Sequence, residues 1–299
     1  MTLAVVLTSR RSTWACADRA LAVGRRRIAK PATKIAAIVT RDGEALVTYA
    51  GVGRVADTQV SHWIVRTLLQ RARSIESSLQ HVSAAAHRRL LPFAHQAATP
   101  HVFIAAAISN RKRAAYWFDP RGTPGAVNKI LPRGRASHFL VSGSGEFAAR
   151  HHEYPRMLRI ARLVHRYERG KLSPQFIASE LAALNRAVSA RLQAAGDNSV
   201  SPECVIALRH RGFRFGAGQW YFDATGNVQQ GQGQIPTVSN GMPVSDITEA
   251  LWQDVIEGMK RAQARGAPPD EVSREALGTP ERHQQIVSGI RDDPDEQFH

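Results

Sequence analysis

The residues best suited to chemistry stand at the start of the chain, where a threonine directly follows the first methionine in MTLAVVLT. Methionine before a small residue is commonly removed in the cytoplasm, and we expect its removal to make Thr2 the mature N-terminus. Thr2 would then supply a nucleophilic hydroxyl and a base, its own α-amino group, whose ordinary pKa is about 7.7–8. Such an amine accepts the hydroxyl proton near neutral pH. The sequence therefore predicts acyl transfer to Thr2.

Two charged residues in apolar, strand-like segments are candidates for supporting that nucleophile. Asp18 lies sixteen residues after Thr2, and Lys34 lies sixteen residues after Asp18. A nearby ammonium favours a neutral amine and a developing alkoxide, and a carboxylate offsets the cost of burying that ammonium. Because an isolated charge in an apolar segment is costly, we expect the two to pair. The alternative is a purely structural ion pair beside an ordinary strand threonine.

Apolar patterns predict the elements that would position these residues. Apolar runs predict strands, the Asp-Gly of RDGE predicts a hairpin, and apolar residues at spacings of four and seven predict helices. The strands are predicted at 2–9, 13–20, 34–40, 45–52, 101–109, 114–120, 137–141 and 203–210, and the helices at 54–79, 81–96, 146–169, 173–195 and 245–264. Strands in hairpins and helices in pairs predict two stacked antiparallel sheets with helices outside each, and argue against a doubly wound parallel sheet.

With these elements in place, the sequence resembles the β subunits of proteasomes. The spacing of Thr2, Asp18 and Lys34 is similar to that of the family's catalytic threonine, aspartate and lysine. Five motifs lie in the family's order, namely ACADRAL, TKIAAI, GRVADTQ, VSGSGEFA and AGDNSVSPECVIA. The resemblance covers 2–212 and is closest to the bacterial homologues, Anbu and the betaproteobacterial proteasome homologue. It implies an α+β fold, the four-layer αββα sandwich of N-terminal nucleophile hydrolases.

The resemblance also implies roles for further residues and an assembly. The backbone N–H of Gly53 would stabilise the oxyanion, and Ser144, with Asp197 and Ser201, would support the threonine amine and a catalytic water. The implied activity is that of a threonine endopeptidase acting on peptides or unfolded proteins. It would work in a homo-oligomeric ring or double ring whose threonines face an inner chamber. No cofactor is expected, and the sequence does not indicate an unfoldase partner.

Local departures from the family pattern leave some of these assignments open. The hairpin before Gly53 is longer than in the family, so Gly51 is an alternative oxyanion donor. Ser199 is likewise an alternative to Ser201. An arginine follows Asp18 immediately, where the family usually has one residue between them. A member that is inactive or directed at small amides is the main alternative within the fold.

The chain is expected to contain three segments. Residues 1–212 form the hydrolase domain. Residues 213–265 are expected to pack on the core or on a neighbouring subunit, because they are rich in aromatic residues such as Phe213 and Phe215. Residues 266–299 carry eight acidic and three basic residues, and we expect a mobile acidic tail.

The charge balance offers a second class of function. The chain carries a net +15, from 40 Lys and Arg against 25 Asp and Glu. A basic excess suits a polyanion partner, so a non-enzymatic scaffold or a module that binds nucleic acid or another polyanion is the alternative function. The basic residues are scattered and few aromatic residues lie among them. We therefore interpret the charge as a solvated surface and do not expect nucleic-acid binding.

Several other classes are disfavoured. The two cysteines, Cys16 and Cys204, lie in apolar contexts, which argues against a disulfide framework and favours the cytoplasm. No run approaches the roughly 20 apolar residues of a membrane span, and the first strand lacks the basic start of a secretory signal. The adjacent His151 and His152 do not form a metal motif. FLVSGSGEFA resembles a dinucleotide fingerprint, but a helix rather than a strand is predicted to follow it.

Overall fold

The computed structural model of the protein describes residues 2–23, 26–28, 32–55, 58–92, 101–109, 112–132, 134, 137–211, 217–230, 234–268, 272 and 279–291. Phe213 and Phe215, and the predicted end of the second helix at 93–96, lie outside these residues.

Strands form mainly where the sequence is apolar over runs of three to eight residues. In chain order they are β1 (Leu3–Thr8), β2 (Ser12–Asp18), β3 (Leu21–Val23), β4 (Arg26–Ile28), β5 (Ile35–Thr40), β6 (Gly43–Ala50), β7 (Arg54–Val55), β8 (Thr58–Gln59), β9 (Val102–Ser109), β10 (Arg113–Phe118), β11 (Asn128–Ile130), β12 (His138–Gly143), β13 (Cys204–His210), β14 (Ala217–Phe222), β15 (Val228–Gln229), β16 (Thr237–Ser239) and β17 (Met242–Pro243).

Two large sheets contain most of these strands. The first has the order β12-β1-β2-β13-β14-β15, and the second has the order β11-β10-β9-β6-β5-β16-β17. Neighbouring strands in both sheets are antiparallel, except that β16 runs parallel to β5. The pairs β3–β4 and β7–β8 form two small separate ribbons.

Helices cover the outer faces of the sheets. In chain order they are α1 (Val60–Thr67), α2 (Ile75–Arg89), α3 (Glu146–His151), α4 (Tyr154–Tyr167), α5 (Pro174–Ala194), α6 (Val244–Ala264) and α7 (Pro280–Arg291). The longest core helix, α5, begins at a favourable N-terminus. The Ser173 hydroxyl accepts the N–H of Phe176, and Pro174 occupies the first turn, where a missing N–H costs little.

The alternation of side chains along the strands produces four layers. On β1, Leu3, Val5 and Leu7 pack against α3, α4 and α5, whereas Ala4 and Val6 pack between the two sheets. The second sheet packs its other face against α1 and α2. The central strands are buried on both faces, so they read as continuous apolar runs. The predicted αββα sandwich is confirmed, as is the hairpin at RDGE, where β5 and β6 pair from Thr40 and Gly43 onward.

The helix predicted over 54–79 is wrong. The structure has the β7–β8 ribbon at its start, and α1 ends at Thr67. Gln70 adopts a left-handed backbone with φ of 65°, and its N–H donates to the carbonyl of Gly241. Ser74 then caps α2 by accepting the N–H of Ser77. The apolar spacing continues across the turn, so periodicity did not reveal the break.

The single helix predicted over 146–169 is also wrong, because the structure divides it into α3 and α4. Pro155 stands in the first turn of α4. Its ring has no N–H to donate to a preceding turn, so the helix restarts there. The proline was visible in the sequence and is the signal for this boundary.

The region after β13 adds to both sheets. β14 extends the first sheet from β13, and β16 pairs with β5 in the second. α6 packs on β16, and α7 packs on α6, where Arg282 forms an ion pair with Asp254. The sequence predicts a mobile tail over 266–299 and does not predict α7, which lies within that range. None of the described helices is long and apolar enough to cross a membrane.

Candidate active site

A buried lysine links a threonine hydroxyl to a carboxylate at one end of the sandwich. The Nζ atom of Lys34 lies 2.5 Å from Oγ1 of Thr2 and 3.0 Å from Oδ1 of Asp18. Thr2, Asp18 and Lys34 are exposed by only 2%, 0% and 1%. The three residues selected by type and spacing therefore meet in one water-excluded cluster.

The first sheet positions the threonine and the carboxylate. Thr2 directly precedes β1, and Asp18 is the last residue of the neighbouring strand β2. The β1–β2 register places Asp18 across from Leu3, whose N–H donates to Asp18 Oδ1 at 3.0 Å. The hairpin thus fixes the carboxylate one residue from the threonine.

The second sheet positions the lysine. Lys34 directly precedes β5, and its carbonyl accepts the hydroxyl of Thr48 on β6 at 2.8 Å. The preceding residue, Thr33, is held by the start of α1: its N–H donates to Oε1 of Gln59 at 3.0 Å, and its carbonyl accepts the hydroxyl of Ser61 at 2.6 Å. Lys34 therefore reaches from the second sheet to two groups on the first.

The Asp18 carboxylate is hydrogen-bonded on both oxygens. Besides Lys34 and Leu3, it accepts the N–H of Ala20 at 3.0 Å and the N–H of Ser201 at 3.3 Å on Oδ2. A buried charge is tolerated when it is paired and its lone pairs are filled. These donors fix the carboxylate, and the carboxylate in turn holds the ammonium against the Thr2 hydroxyl. The arrangement can stabilise negative charge that develops on Thr2 Oγ1.

A glycine position shows how closely the neighbouring strands approach Thr2. Gly143, the partner of Leu3 in the β1–β12 register, has a φ of 101°. A Cβ on Gly143 would lie 1.9 Å from the Thr2 carbonyl oxygen and 3.1 Å from Cβ of Ala50. Any side chain here would collide with the backbone of Thr2. The same contacts show that the end of β6, at Ala50, lies beside the threonine.

The loop that follows β6 contains both candidate oxyanion donors. Gly51 has a φ of 115°, a backbone conformation that favours glycine. The N–H of Val52 donates to Nδ1 of His101 at 2.7 Å. The Val52 amide is therefore already hydrogen-bonded. The amides of Gly51 and Gly53 on either side of it both remain candidate oxyanion donors.

The serines and the further aspartate divide into two groups. Ser144 Oγ lies 2.8 Å from Ser199 Oγ, and Asp197 Oδ1 accepts the N–H of Ser199 at 2.8 Å. The Oγ of Ser201 instead accepts the N–H of Glu203 at 3.2 Å, while its own N–H is bonded to Asp18. The structure therefore brings Ser144, Asp197 and Ser199 together and places Ser201 against the carboxylate.

Sequence reasoning missed several supporting residues. Asn185 donates through Nδ2 to the carbonyls of Ser201 and Pro202, at 2.8 and 3.1 Å, and Ser189 donates to the carbonyl of Val200 at 2.8 Å. Both side chains are buried polar groups four residues apart on α5. Polar residues at helical spacing within an apolar stripe were the available signal. They anchor the loop that approaches Asp18.

A metal site and a dinucleotide site are the two alternative chemistries considered for this sequence. In the described part of the chain, no three His, Cys, Asp or Glu side chains are grouped so as to hold a metal ion. The candidate dinucleotide motif lies at the turn from β12 into α3, and α3 is followed by the helix α4. A dinucleotide site requires a strand at that place, so this segment does not have its topology.

No known family model matches the sequence, and no curated protein matches it significantly. Solved structures do share its fold. An Anbu Gly-1 mutant from Hyphomicrobium sp. strain MC1 superposes with a TM-score of 0.50 at 16% identity, over 75% of this chain and 88% of that chain. Anbu from Pseudomonas aeruginosa, described as a helical assembly, gives a TM-score of 0.50 at 11% identity, over 87% and 95%. The predicted resemblance to bacterial proteasome homologues is thus confirmed at the level of the fold.

Proposed function

We propose that this protein is an N-terminal nucleophile hydrolase that cleaves peptide bonds with Thr2 after removal of Met1. The observation that carries the proposal is the buried Lys34 ammonium, which contacts both the Thr2 hydroxyl and the Asp18 carboxylate. The fold shared with Anbu supports it. A structural ion pair alone would not require a hydroxyl at the second position of the chain.

The proposed reaction is acyl transfer followed by hydrolysis. Thr2 Oγ1 attacks the carbonyl carbon of the scissile bond, and its proton passes to the α-amino group of Thr2. The amide N–H of Gly51 or Gly53 donates to the resulting oxyanion. The C–N bond then breaks, the amine gives its proton to the leaving amine, and the acyl group remains as an ester on Thr2. Water, deprotonated by the same amine, hydrolyses the ester and restores the hydroxyl.

The surrounding residues have distinct roles in this proposal. Lys34 stabilises the developing alkoxide and favours a neutral amine, and Asp18 fixes Lys34. Ser144 and Ser199, which lie in mutual contact, support the amine and the water together with Asp197. Ser201 orients Asp18 through its backbone N–H.

A covalent label tests the nucleophile directly. The purified protein is treated with a peptidyl β-lactone, whose ring is opened by an activated hydroxyl, and the adduct is mapped by mass spectrometry. We expect loss of Met1 in the intact mass and one adduct on Thr2. Thr2→Ala should remain unlabelled, and Thr2→Ser, which keeps the hydroxyl, should be labelled. Labelling of Thr2→Ala at the wild-type rate, or a retained Met1, would refute the proposal.

We further propose that the chain works as a homo-oligomer, predicted from the sequence to be a closed ring or double ring. Two observations support self-association. The Anbu structure from Pseudomonas aeruginosa is described as a helical assembly. In addition, Phe147 and Tyr154 on the outer helices and Trp252 on α6 are all more than half exposed, and a subunit contact would cover such side chains.

Light scattering and electron microscopy test this part. We expect particles of several subunits at micromolar concentration, and images distinguish closed rings from open helical filaments. Phe147→Asp or Trp252→Asp, whichever lies in the interface, should reduce the particle mass without changing the fold of the subunit. A wild-type chain that stays monomeric at physiological salt would refute the assembly while leaving the labelling result intact.

A further inference from the structure

The loop between β6 and β7 carries the amides that the proposed function assigns to the oxyanion, so its position relative to Thr2 matters to the rate. An oxyanion donor is effective only when it is held in place before the reaction. The end of β6 lies beside Thr2, as the contacts around Gly143 show. What fixes the loop beyond Ala50 is therefore a question about catalysis, and the inference that follows rests on the proposed function.

His101 holds the centre of this loop. The N–H of Val52 donates to Nδ1 of His101 at 2.7 Å. A backbone N–H can only donate, so Nδ1 must be the unprotonated nitrogen and the ring proton must lie on Nε2. This contact thus requires the neutral imidazole. Among the described residues, Nε2 has no hydrogen-bond partner, so the Val52 contact accounts for the ring's polar role.

The imidazole is itself immobilised by the sheet. His101 is fully buried immediately before β9. Its ring stacks on Tyr49 at 5.9 Å between centroids and is tilted against Phe103 at 4.7 Å. Tyr49 and Phe103 are direct partners in the β6–β9 register. The Tyr49 hydroxyl also donates to the carbonyl of Gly53 at 3.4 Å. His101 therefore holds Val52, and Tyr49 holds the next residue of the loop, Gly53.

We propose that His101 is a positioning residue that fixes the Val52 amide and thereby aims the amides of Gly51 or Gly53 at the oxyanion. It does not touch the reacting atoms and exchanges no proton with them. Burial keeps the pKa of His101 far below its ordinary value, at about 3, so the accepting nitrogen stays available at neutral pH. A side chain that offers an acceptor at the same place should replace it, and an apolar side chain should not.

A matched pair of variants separates positioning from packing. Oδ1 of asparagine lies where Nδ1 of histidine lies, so His101→Asn keeps an acceptor for Val52. His101→Leu fills the site without one. With a fluorogenic peptide, we expect kcat in His101→Leu to fall about tenfold to a hundredfold with little change in KM, because a small misplacement of a catalytic group costs rates of that order. His101→Asn should recover kcat to within about threefold.

Hydrogen exchange of single amides provides a readout that does not depend on turnover. The Val52 amide should be protected in the wild type and in His101→Asn, and should lose at least about tenfold protection in His101→Leu. The Leu3 amide, which donates to Asp18, serves as the internal control and should be unchanged in all three.

The outcomes distinguish this inference from the proposed function. Wild-type kcat in His101→Leu, or equal losses in both variants, would overturn the positioning role while leaving Thr2 as the nucleophile. A wild type with no turnover that depends on Thr2 would refute the proposed function and with it the catalytic consequence. Hydrogen exchange of the Val52 amide would in that case still test whether His101 holds the loop. Unchanged protection of this amide in His101→Leu would show that it does not.

Discussion

Among the described residues, two ion pairs connect the two sheets, one at each end of the sandwich. At one end Lys34, before β5, contacts Asp18 at the end of β2 at 3.0 Å. At the other end Arg209, at the far end of β13, contacts Glu44 near the start of β6 at 3.4 Å. Both pairs join the first sheet to the second, and both consist of charged residues within or next to apolar strands. Their surroundings differ in ways that bear on function.

The Lys34–Asp18 pair is embedded in a set of directed donors. Asp18 accepts three backbone N–H groups in addition to the ammonium, and that ammonium also contacts the Thr2 hydroxyl. The Arg209–Glu44 pair lies where the Glu44 side chain is 23% exposed. Burial raises the pKa of Glu44 and lowers the pKa of Arg209, and each partner opposes that shift in the other. A cross-sheet ion pair is therefore not by itself a sign of catalysis, whereas the contact with the Thr2 hydroxyl is what the proposed reaction requires.

Removing the Thr2 hydroxyl should reduce turnover more than any other single change. Thr2→Ala should lower kcat/KM by about 10³-fold or more, as loss of a nucleophile does. The unfolding midpoint should change little, because only a hydroxyl and a methyl group are lost. Peptide turnover and urea unfolding measure the two. Thr2→Ser is the matched control and should keep measurable turnover. Wild-type rates in Thr2→Ala would reduce the Lys34–Asp18 pair to the status of the Arg209 pair.

Removing Lys34 should affect both turnover and stability. Lys34→Ala leaves the Asp18 carboxylate buried without its cation, which costs about 3–5 kcal/mol of unfolding free energy. Lys34→Arg keeps the charge, but the guanidinium is larger and planar and does not fit the site of an ammonium. We expect Lys34→Arg to be nearly as inactive as Lys34→Ala, measured in the same assays. Near-normal turnover in Lys34→Arg would show that positive charge suffices without the observed geometry.

The buried His101 should make the stability of the folded protein sensitive to acid. Burial lowers the pKa of His101 to about 3, opposed by the nearby Asp119 carboxylate and reinforced by Arg121. The unfolded side chain has a pKa of about 6.5, so between about pH 6.5 and 3 the unfolded chain binds a proton that the folded chain does not. Stability from this group is complete above pH 6.5 and falls as the pH falls.

The size of that loss can be measured against a non-titrating variant. At pH 5 it amounts to about 2 kcal/mol. His101→Asn does not titrate, so its stability should fall by about 2 kcal/mol less than that of the wild type between pH 7 and pH 5. Urea unfolding at both pH values gives the comparison. Parallel losses in the two proteins would mean that the imidazole is not shielded as its burial implies.

The sequence was most informative where residue type and strand pattern agreed. Thr2 is marked by a hydroxyl directly after the first methionine, and Asp18 and Lys34 are marked because a charge in an apolar strand needs a partner. The hairpin and the layer pattern bring the three together. Continuous apolar runs also predicted strands buried on both faces, and hence four layers. These inferences depend on local patterns, which a single sequence carries.

The errors lie where long-range contacts decide the structure. The turn at Gln70 is held by the carbonyl of Gly241, about 170 residues away, and no local signal marks that bond. The proposed role of His101 depends on a register that places it beside Val52, 49 residues earlier in the chain. The choice between Ser199 and Ser201 likewise required the position of Ser144. Spacing in the sequence identifies such residues as candidates, but it does not distinguish between two candidates that lie close together in the chain.

The Arg209–Glu44 pair should matter least to turnover and to stability. Arg209→Met keeps the length and apolar contacts of the side chain, and the partly exposed Glu44 can protonate or contact water. We expect turnover to stay at the wild-type level and the free energy of unfolding to change by about 1 kcal/mol or less. A double-mutant cycle with Glu44→Gln should give a coupling within that value, and salt should weaken it further. The corresponding cycle with Lys34→Met and Asp18→Asn should give a coupling several times larger, because both of those charges are buried. Equal couplings at the two ends, or a loss of turnover in Arg209→Met, would contradict the assignment of catalysis to one end only.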